Sequence, residues 1–129
     1  MAASTIKDLA SRARALRDAR GRRVLIGIAG APGAGKSTLA DGLLDLLGAE
    51  AALVPMDGFH LSQRQLAELG RADRKGAPDT FDAAGFAAIL RRVRETPGED
   101  VFVPRFDRSI EEPIAAGLRV PAGAEIVLT

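Results

Sequence analysis

The sequence predicts an α/β fold in which helices flank a parallel sheet, and two features of the 129-residue chain indicate it. Short apolar runs alternate with longer stretches whose apolar residues recur at helical spacing, an alternation typical of parallel sheets. The first run, residues 24–29, is apolar throughout, as expected of a central strand covered on both faces. Further strands are predicted at residues 51–55, 101–103 and 126–129.

The composition limits the class of protein. Hydrophobic residues make up 47% of the chain and charged residues 27%, which is typical of a globular domain. The absence of cysteine excludes disulfides and thiol catalysis, and the single histidine, His60, excludes a His-rich metal site. No apolar stretch is long enough to span a bilayer, so we expect no membrane partner and a cytoplasmic location. The aromatic residues are only 4% and all are Phe, which disfavours nucleic acid as a partner.

The N-terminal segment, residues 1–22, is predicted to be an amphipathic helix packed on a domain formed by residues 23–129. Thr5 and Asp8 have the spacing of a capping box, and Gly21 stands where such a helix would end. The first 23 residues carry seven basic and two acidic side chains, a net charge of +5. We interpret this charge as a solvated helix face, with binding to an acidic partner as the alternative.

The stretch after the first strand matches the phosphate-binding pattern G-x-x-x-x-G-K-[ST]. It consists of Gly30, Ala31, Pro32, Gly33, Ala34, Gly35, Lys36, Ser37 and Thr38. The glycines let backbone N–H groups turn towards a phosphate, and the following helix, residues 36–47, adds positive dipole there. The pattern predicts a P-loop NTPase-type sheet that binds ATP and Mg²⁺. The Lys36 ammonium would reach the β- and γ-phosphates, the Ser37 hydroxyl would hold Mg²⁺, and Thr38 would touch the α-phosphate.

A phosphate loop fits this stretch better than either of two alternatives. A Gly-rich turn could match the pattern by accident, but the apolar run before it and the helical period after it are what a phosphate loop requires. A dinucleotide fingerprint needs G-x-G-x-x-G in the turn, which the glycine spacing does not supply, and it leaves Lys36 and Ser37 without a role.

Asp57 follows the second predicted strand, at the carboxyl end where ligands bind in open α/β sheets. A carboxylate there could orient a hydroxyl that attacks the γ-phosphate and take its proton. We therefore predict Asp57 as a catalytic residue beside Lys36. The alternative is an Asx turn formed by the side chain before Gly58.

The remaining segments are predicted as helices and turns. Ser62 opens a short helix through a second capping box, and Asp82 caps a longer one. The buried face of the longer helix is predicted to hold Phe86, Ile89, Leu90 and Val93. Residues 71–78 are predicted as a surface loop and residues 104–108 as an irregular polar segment. Because only about three core strands are found and no helix follows the last one, we expect the N-terminal part of a longer protein.

Four blocks of the sequence carry a family resemblance. They are Gly30 to Thr38, Met56-Asp57-Gly58-Phe59-His60, Ala77-Pro78-Asp79-Thr80-Phe81-Asp82 and Pro104-Arg105-Phe106-Asp107-Arg108. With these blocks in this order, the chain from about Val24 to Thr129 resembles the phosphoribulokinase/uridine kinase family, which includes pantothenate kinases, and within it a branch labelled fructose-transport kinase. The resemblance implies ATP-dependent phosphorylation of a hydroxyl on a small molecule such as a sugar, a nucleoside or a pantothenate-like compound. It also implies that Asp57 receives the hydroxyl proton.

The resemblance further implies that the segments around Phe81 and from Arg105 to Arg108 line the acceptor site. On the residues alone, His60 is either a substrate contact or a structural hydrogen-bonding residue. Arg108 either binds an anionic group or pairs with Asp107 at the surface. Family members continue into a Glu-Gly pair and an arginine-bearing lid, which these 129 residues lack, so we expect little turnover from this chain alone.

Two further functions stay open on the sequence. A P-loop hydrolase or switch would use the same phosphate loop, although the guanine-reading Asn-Lys-x-Asp is absent from these 129 residues. A nucleotide-binding fragment without turnover is the second, and a homodimer is left open as an assembly.

Overall fold

In the computed structural model, which describes residues 5–31 and 33–129, helices and strands alternate in the first part of the chain, and two helices then precede three strands. The helices are α1 (Ile6–Arg20), α2 (Lys36–Leu47), α3 (Gln63–Glu68) and α4 (Ala83–Glu95). The strands are β1 (Val24–Ile26), β2 (Ala51–Leu53), β3 (Val101–Asp107), β4 (Glu112–Val120) and β5 (Ile126–Leu128). Within the described ranges, no helix has the length and apolar character needed to cross a membrane.

The parallel sheet that the sequence predicts is confirmed, but its central strand is β5. The strand order is β1-β5-β2, with Ile126 in register with Val24 on one side and with Ala51 on the other. Among the described residues, β1 is therefore an outer strand of this sheet, and not the central strand predicted for residues 24–29. An apolar run shows that a strand is buried, but it does not show which neighbours the strand pairs with. β1 also ends at Ile26, three residues earlier than predicted.

The core lies on both faces of this sheet. On one face, Ile126 and Leu128 pack with residues of α1 and α2, including Ala10, Leu43 and Leu47. On the other face, Val127 packs with Val93 of α4 and with the buried side chains of β3. Because side chains alternate along a strand, the three fully buried residues of β5 contribute to both clusters. β5 therefore joins the two halves of the core.

The first helix carries both halves of a capping box. Thr5 Oγ1 accepts the Asp8 N–H and the Asp8 carboxylate accepts the Thr5 N–H, while Gly21 ends the helix with a φ of 62°. Ala10 and Ala13 are its buried residues, and both belong to the cluster shared with α2. Small side chains on this stripe let α1 lie close to α2.

Three of the basic side chains near the N-terminus have structural partners. Arg14 and Arg17 both donate to the Glu50 carboxylate, and their hydrogen bonds hold the pKa of Glu50 below its usual value. Arg23 is 4% exposed and donates to backbone carbonyls, among them Val93 O at 2.8 Å and Ala124 O at 2.7 Å. These three of the seven basic side chains are therefore used within the fold, whereas Lys7, Arg12, Arg20 and Arg22 are exposed, as the predicted solvated face requires.

The segment predicted as irregular after residue 103 is instead a strand. β3 continues to Asp107 and pairs antiparallel with β4, a strand that was not predicted from the sequence. The register shifts between Val103 and Arg105, so Pro104 lies at an irregularity where a missing N–H is tolerated. Pro113 and Gly117 in β4 are poor strand formers, and for this reason the runs of apolar residues did not predict this strand.

Candidate active site

The phosphate loop connects β1 to α2, the strand–loop–helix context that its pattern requires. Gly33 and Gly35 have φ values of 80° and 88°, a conformation that a side chain would strain. Ala31, before this turn, and Ala34, between the two glycines, are exposed, and Pro32 lies outside the described residues. The two glycines therefore shape the loop by their backbone conformation.

The N-terminus of α2 is open to an anion. Its N-cap is Gly35, no side chain caps the first turn, and that turn contains no acidic residue. The first N–H groups of a helix have no intrahelical acceptor and carry the positive end of the helix dipole. Ser37 and Thr38 lie exposed in this first turn. The arrangement suits a phosphate group.

Lys36 folds back over its own loop. Its ammonium donates to the Gly30 carbonyl and lies 3.5 Å from the Ala31 carbonyl oxygen. The side chain is half-buried, whereas a lysine waiting for a phosphate would be expected in solvent. Both acceptors are neutral carbonyls, so a phosphate would be a stronger partner for the ammonium.

The donors present suit Mg²⁺ only in a binding mode that uses few protein ligands. No group of three His, Cys, Asp or Glu side chains comes together among residues 5–31 and 33–129. Mg²⁺ usually keeps several waters and takes few protein ligands when it binds with substrate phosphates. The exposed Ser37 hydroxyl beside the phosphate loop is consistent with that mode.

Asp57 lies in a 3₁₀ turn, Met56–Phe59, shortly after the end of β2. Its side chain is 50% exposed, and its Oδ2 accepts a hydrogen bond from Arg108 Nη2 at 3.1 Å. Two predicted site residues, 51 positions apart in sequence, thus meet directly. β1 and β2 flank β5 in parallel, so the phosphate loop and the Asp57 turn leave the same edge of the sheet, with one strand between them. At a strand spacing of about 4.8 Å, this separates their strands by roughly 10 Å.

The local pair considered between Asp107 and Arg108 does not form. Asp107 Oδ1 accepts the Ser109 N–H at 3.0 Å and the Ser109 hydroxyl at 2.6 Å. These bonds to Ser109 hold the pKa of Asp107 below its usual value. Because Asp107 is engaged in its own turn, Arg108 is free to reach across to Asp57.

Gly58 holds the Asp57 turn against β3. A Cβ added at Gly58 would lie 2.3 Å from the Pro104 carbonyl oxygen, closer than any side chain permits. The glycine therefore allows a direct backbone contact between the turn and β3, the strand that leads to Arg108. From the sequence, Gly58 is predicted only as part of a turn. Its close approach to Pro104 could not be found there because the two residues are 46 positions apart.

His60 is enclosed by two aromatic rings. Its ring centroid lies 4.1 Å from that of Phe81 and 4.7 Å from that of Phe106. His60 Nδ1 lies 2.7 Å from the Asp57 carbonyl oxygen, which can only accept, so Nδ1 donates. In the neutral ring this leaves Nε2 as an acceptor. His60 thus has a structural hydrogen bond and also a second ring nitrogen with no hydrogen bond among the described residues.

Lys75 adjoins the cluster formed by His60, Phe81, Phe106 and Arg108, and the sequence did not predict it there. Its ammonium lies 5.1 Å from the centre of the Phe106 ring and 3.1 Å from Glu111 Oε2. The Arg108 guanidinium lies 5.5 Å from the same ring centre. Lys75 belongs to the loop predicted as mere surface, which explains why no pattern singled it out.

Arg105 is not brought to the cluster. It alternates with Phe106 along β3, so the two side chains leave opposite faces of the strand. Arg105 is exposed, and over the described part of the chain its side chain makes no hydrogen bond or ion pair. Its positive charge acts on Asp107, whose pKa it helps to lower.

Two clefts lie at opposite ends of the parallel strands, and one of them is beside the Asp57 turn. An apolar cleft of about 330 Å³ lies beside the Asp57 turn and is lined chiefly by Met56, Phe59, Pro78, Phe81 and Phe86. A larger cleft of about 580 Å³ is lined by Arg17, Arg23 and Glu125, which precede β1 and β5 and so lie at the opposite edge. The polar groups of Arg17 and Arg23 are used by internal partners. The smaller cleft is therefore the one associated with the site.

Comparisons with known proteins find several that are named as kinases. No family model matches the chain. A protein from Schizosaccharomyces pombe named as a candidate uridine kinase is 34% identical over 116 residues, covering 83% of this chain and 49% of that protein. A pantothenate kinase from Streptococcus pneumoniae is 28% identical over 117 residues, covering 87% of this chain and 38% of the kinase. The crystal structure of a candidate fructose transport system kinase from Silicibacter matches with a TM-score of 0.82 and 35% identity, covering 98% of this chain and 62% of its own.

The chain spans about half the length, or less, of the curated relatives it matches, with 49% and 38% coverage in the two cases above. All of these proteins carry a kinase name.

Proposed function

Because the chain belongs to the uridine kinase family of P-loop kinases, we propose that it transfers the γ-phosphate of ATP to a hydroxyl of a small molecule. The observation that supports this most directly is the shared sheet edge. The phosphate loop follows β1, and the Asp57 turn follows β2. A nucleotide on the loop would thus present its terminal phosphate towards a carboxylate.

On the phosphate side, the residues bind and orient. The N–H groups at the start of α2 would hold phosphate oxygens, and Lys36 would exchange its two carbonyl partners for the β- and γ-phosphates. Ser37 would contribute its hydroxyl to Mg²⁺. When bound, Mg²⁺ neutralises the charge that the phosphates carry. Phosphoryl transfer asks the protein mainly for this positioning and charge stabilisation.

On the acceptor side, Asp57 would orient the attacking hydroxyl and take its proton as the oxygen bonds to the γ-phosphorus and the bond to ADP breaks. Arg108 would have to share or release the carboxylate for this to happen. Its side chain is 73% exposed, so it can move without disturbing the core.

The acceptor would lie against the cluster of His60, Phe81, Phe106 and Arg108. His60 Nε2 offers an acceptor for a hydroxyl, and Arg108 offers donors to an oxygen or an anionic group. Arg105 is left out of this proposal because it faces away from Phe106. Sugars, nucleosides and pantothenate-like compounds all carry a suitable hydroxyl.

The test is transfer of label from [γ-³²P]ATP–Mg²⁺ to fructose, uridine and pantothenate, measured in a single turnover so that slow transfer is still detected. A labelled acceptor supports the proposal. Label released only as inorganic phosphate, at the same rate with and without each acceptor, would favour the hydrolase alternative. Binding of ATP without either product would favour a binding fragment.

A further inference from the structure

Gln63 joins the start of α3 to the tip of the β3–β4 hairpin, which is the turn at residues 108–111. Its side-chain Nε2 donates to the Ile110 carbonyl at 3.1 Å and to the Glu111 carbonyl at 3.2 Å. Its backbone N–H donates to Glu112 Oε1 at 3.1 Å. These bonds span 47 to 49 positions in sequence, so they tie together segments that nothing local connects.

The hairpin tip needs such ties. Glu111 has a φ of 53°, a left-handed conformation that non-glycine residues seldom adopt. Lys75 supports the same residue, with Nζ 3.4 Å from its carbonyl oxygen and 3.1 Å from its Oε2. Two side chains from outside the hairpin thus converge on the turn that begins at Arg108.

Asp57, Gln63 and Arg108 belong to one closed ring of contacts. Asp57 and Gln63 are six positions apart on the connection from β2 to α3. Gln63 bonds the hairpin tip, and Arg108, three residues before Glu111, bonds Asp57. A tip released from Gln63 would carry Arg108 with it, because Arg108 is exposed and its one hydrogen bond among the described residues is to Asp57.

We propose that Gln63 is a positioning residue, which fixes the hairpin tip so that Arg108 stays within reach of the Asp57 carboxylate. Gln63 itself would touch neither ATP nor the acceptor. The consequence for acceptor binding rests on the proposed function, whereas the positioning of Arg108 does not.

The chain offers a matched pair of variants for the test. Gln63→Leu removes both side-chain donors while keeping the backbone bond to Glu112. Gln65→Leu is the control, because Gln65 is an exposed glutamine of the same short helix whose side chain, among the described residues, hydrogen-bonds only Glu68, at 3.4 Å. The readouts are amide hydrogen exchange over residues 107–112 and the ¹⁵N heteronuclear NOE of the Arg108 Nε–H.

In Gln63→Leu, we expect exchange at the tip about threefold to tenfold faster, the effect of losing one or two exposed hydrogen bonds. We also expect a lower NOE at Arg108 Nε. Exchange over residues 24–47 should not change in either variant, which separates a local release from general destabilisation. Unchanged tip exchange or an unchanged Arg108 NOE in Gln63→Leu would overturn the proposal.

A kinetic arm links the positioning to the reaction. For any acceptor labelled by the wild-type chain, Gln63→Leu should raise KM for the acceptor about threefold to tenfold with little change in ATP affinity, and should add nothing in an Arg108→Gln background. A full further loss in that background would show that Gln63 acts on something other than Arg108. If the wild-type chain labels no acceptor, the proposed function fails, while the exchange and NOE data still decide the role of Gln63.

Discussion

At the scale of the residue, the candidate site consists of a few polar groups that, under the proposed function, would exchange their present partners for ligands. Lys36 is held by loop carbonyls and Asp57 by Arg108, so each is oriented but not buried. The phosphate loop was predictable because its residues are contiguous and because its sequence pattern corresponds to a known backbone conformation. The contact between Asp57 and Arg108 was not, because it depends on how β3 packs against the Asp57 turn through Gly58.

Lys36→Ala should weaken binding of ATP–Mg²⁺ about tenfold to a hundredfold, the effect of losing a charge-assisted hydrogen bond to phosphate. The fold should be unaffected, because Lys36 bonds only to its own loop among the described residues. Isothermal calorimetry measures the affinity and a thermal melt checks the fold. Lys7→Ala, at an exposed position of α1, is the control. Equal affinity in Lys36→Ala and wild type would remove the loop from the proposed ATP site.

Asp57→Asn should lower the rate of label transfer to the acceptor by about 10² to 10⁴, because the amide cannot take the hydroxyl proton. The affinity for ATP should stay close to that of wild type, since the phosphate contacts are proposed for the loop. Single-turnover transfer and nucleotide titration are measured on the same preparations, with the exposed Asp45→Asn as control. Near-normal transfer by the asparagine variant would leave Asp57 as a turn residue. Lost ATP binding would instead indicate a structural or metal-linked role.

At the scale of the element, the spatial order of strands decides which residues carry the core. The helices α1, α2 and α4 could be located from their caps and apolar stripes, as Thr5, Gly48 and Asp82 illustrate. The position of β5 could not, because three apolar residues specify burial without specifying neighbours. β4 was missed because its proline and glycine are tolerated only at an irregular hairpin.

Ile126→Ala should lower the free energy of unfolding by about 2–5 kcal/mol, because it leaves a cavity where β5 packs on α1 and α2. Ile126→Val should cost about 0.5–1.5 kcal/mol and serves if the alanine variant does not fold. Ile110→Ala is the control, at an isoleucine that is 52% exposed and should change stability by no more than about 0.5 kcal/mol. Urea unfolding measures all three. Similar costs at the two positions would contradict a central β5.

At the scale of the whole molecule, ion pairs connect α1 to the sheet at the end of the strands opposite the phosphate loop. Glu50 immediately precedes β2 and accepts from Arg14 and Arg17 of α1. Its backbone carbonyl also accepts the Glu125 N–H, just before β5. One residue thus connects α1, β2 and β5. The positive charge of the N-terminal segment was evident from the sequence, but its partner was not, since Glu50 lies more than 30 positions away.

The stability of the fold should therefore fall in mild acid, and Glu50 should account for part of the fall. Its pKa in the folded state is lowered from 4.5 chiefly by the hydrogen bonds from Arg14 and Arg17. A carboxylate with a depressed pKa contributes stability that is present above its unfolded pKa and is lost as the pH drops through the folded value. The loss should thus begin near pH 4.5 and grow below it.

The measurement is the thermal midpoint of wild type, Glu50→Gln and the control Glu68→Gln from pH 7 to pH 3. Among the described residues, Glu68 pairs only with Arg64 and Gln65, both exposed and within α3, so the control should follow the wild-type curve. Glu50→Gln should melt at a lower temperature at pH 7 and converge with wild type as the pH falls. A residual slope is expected in every variant, because the pKa values of Asp79 and Asp107 are lowered as well. A constant gap between Glu50→Gln and wild type across this range would mean that the packing of the side chain, and not its charge, connects α1 to the sheet.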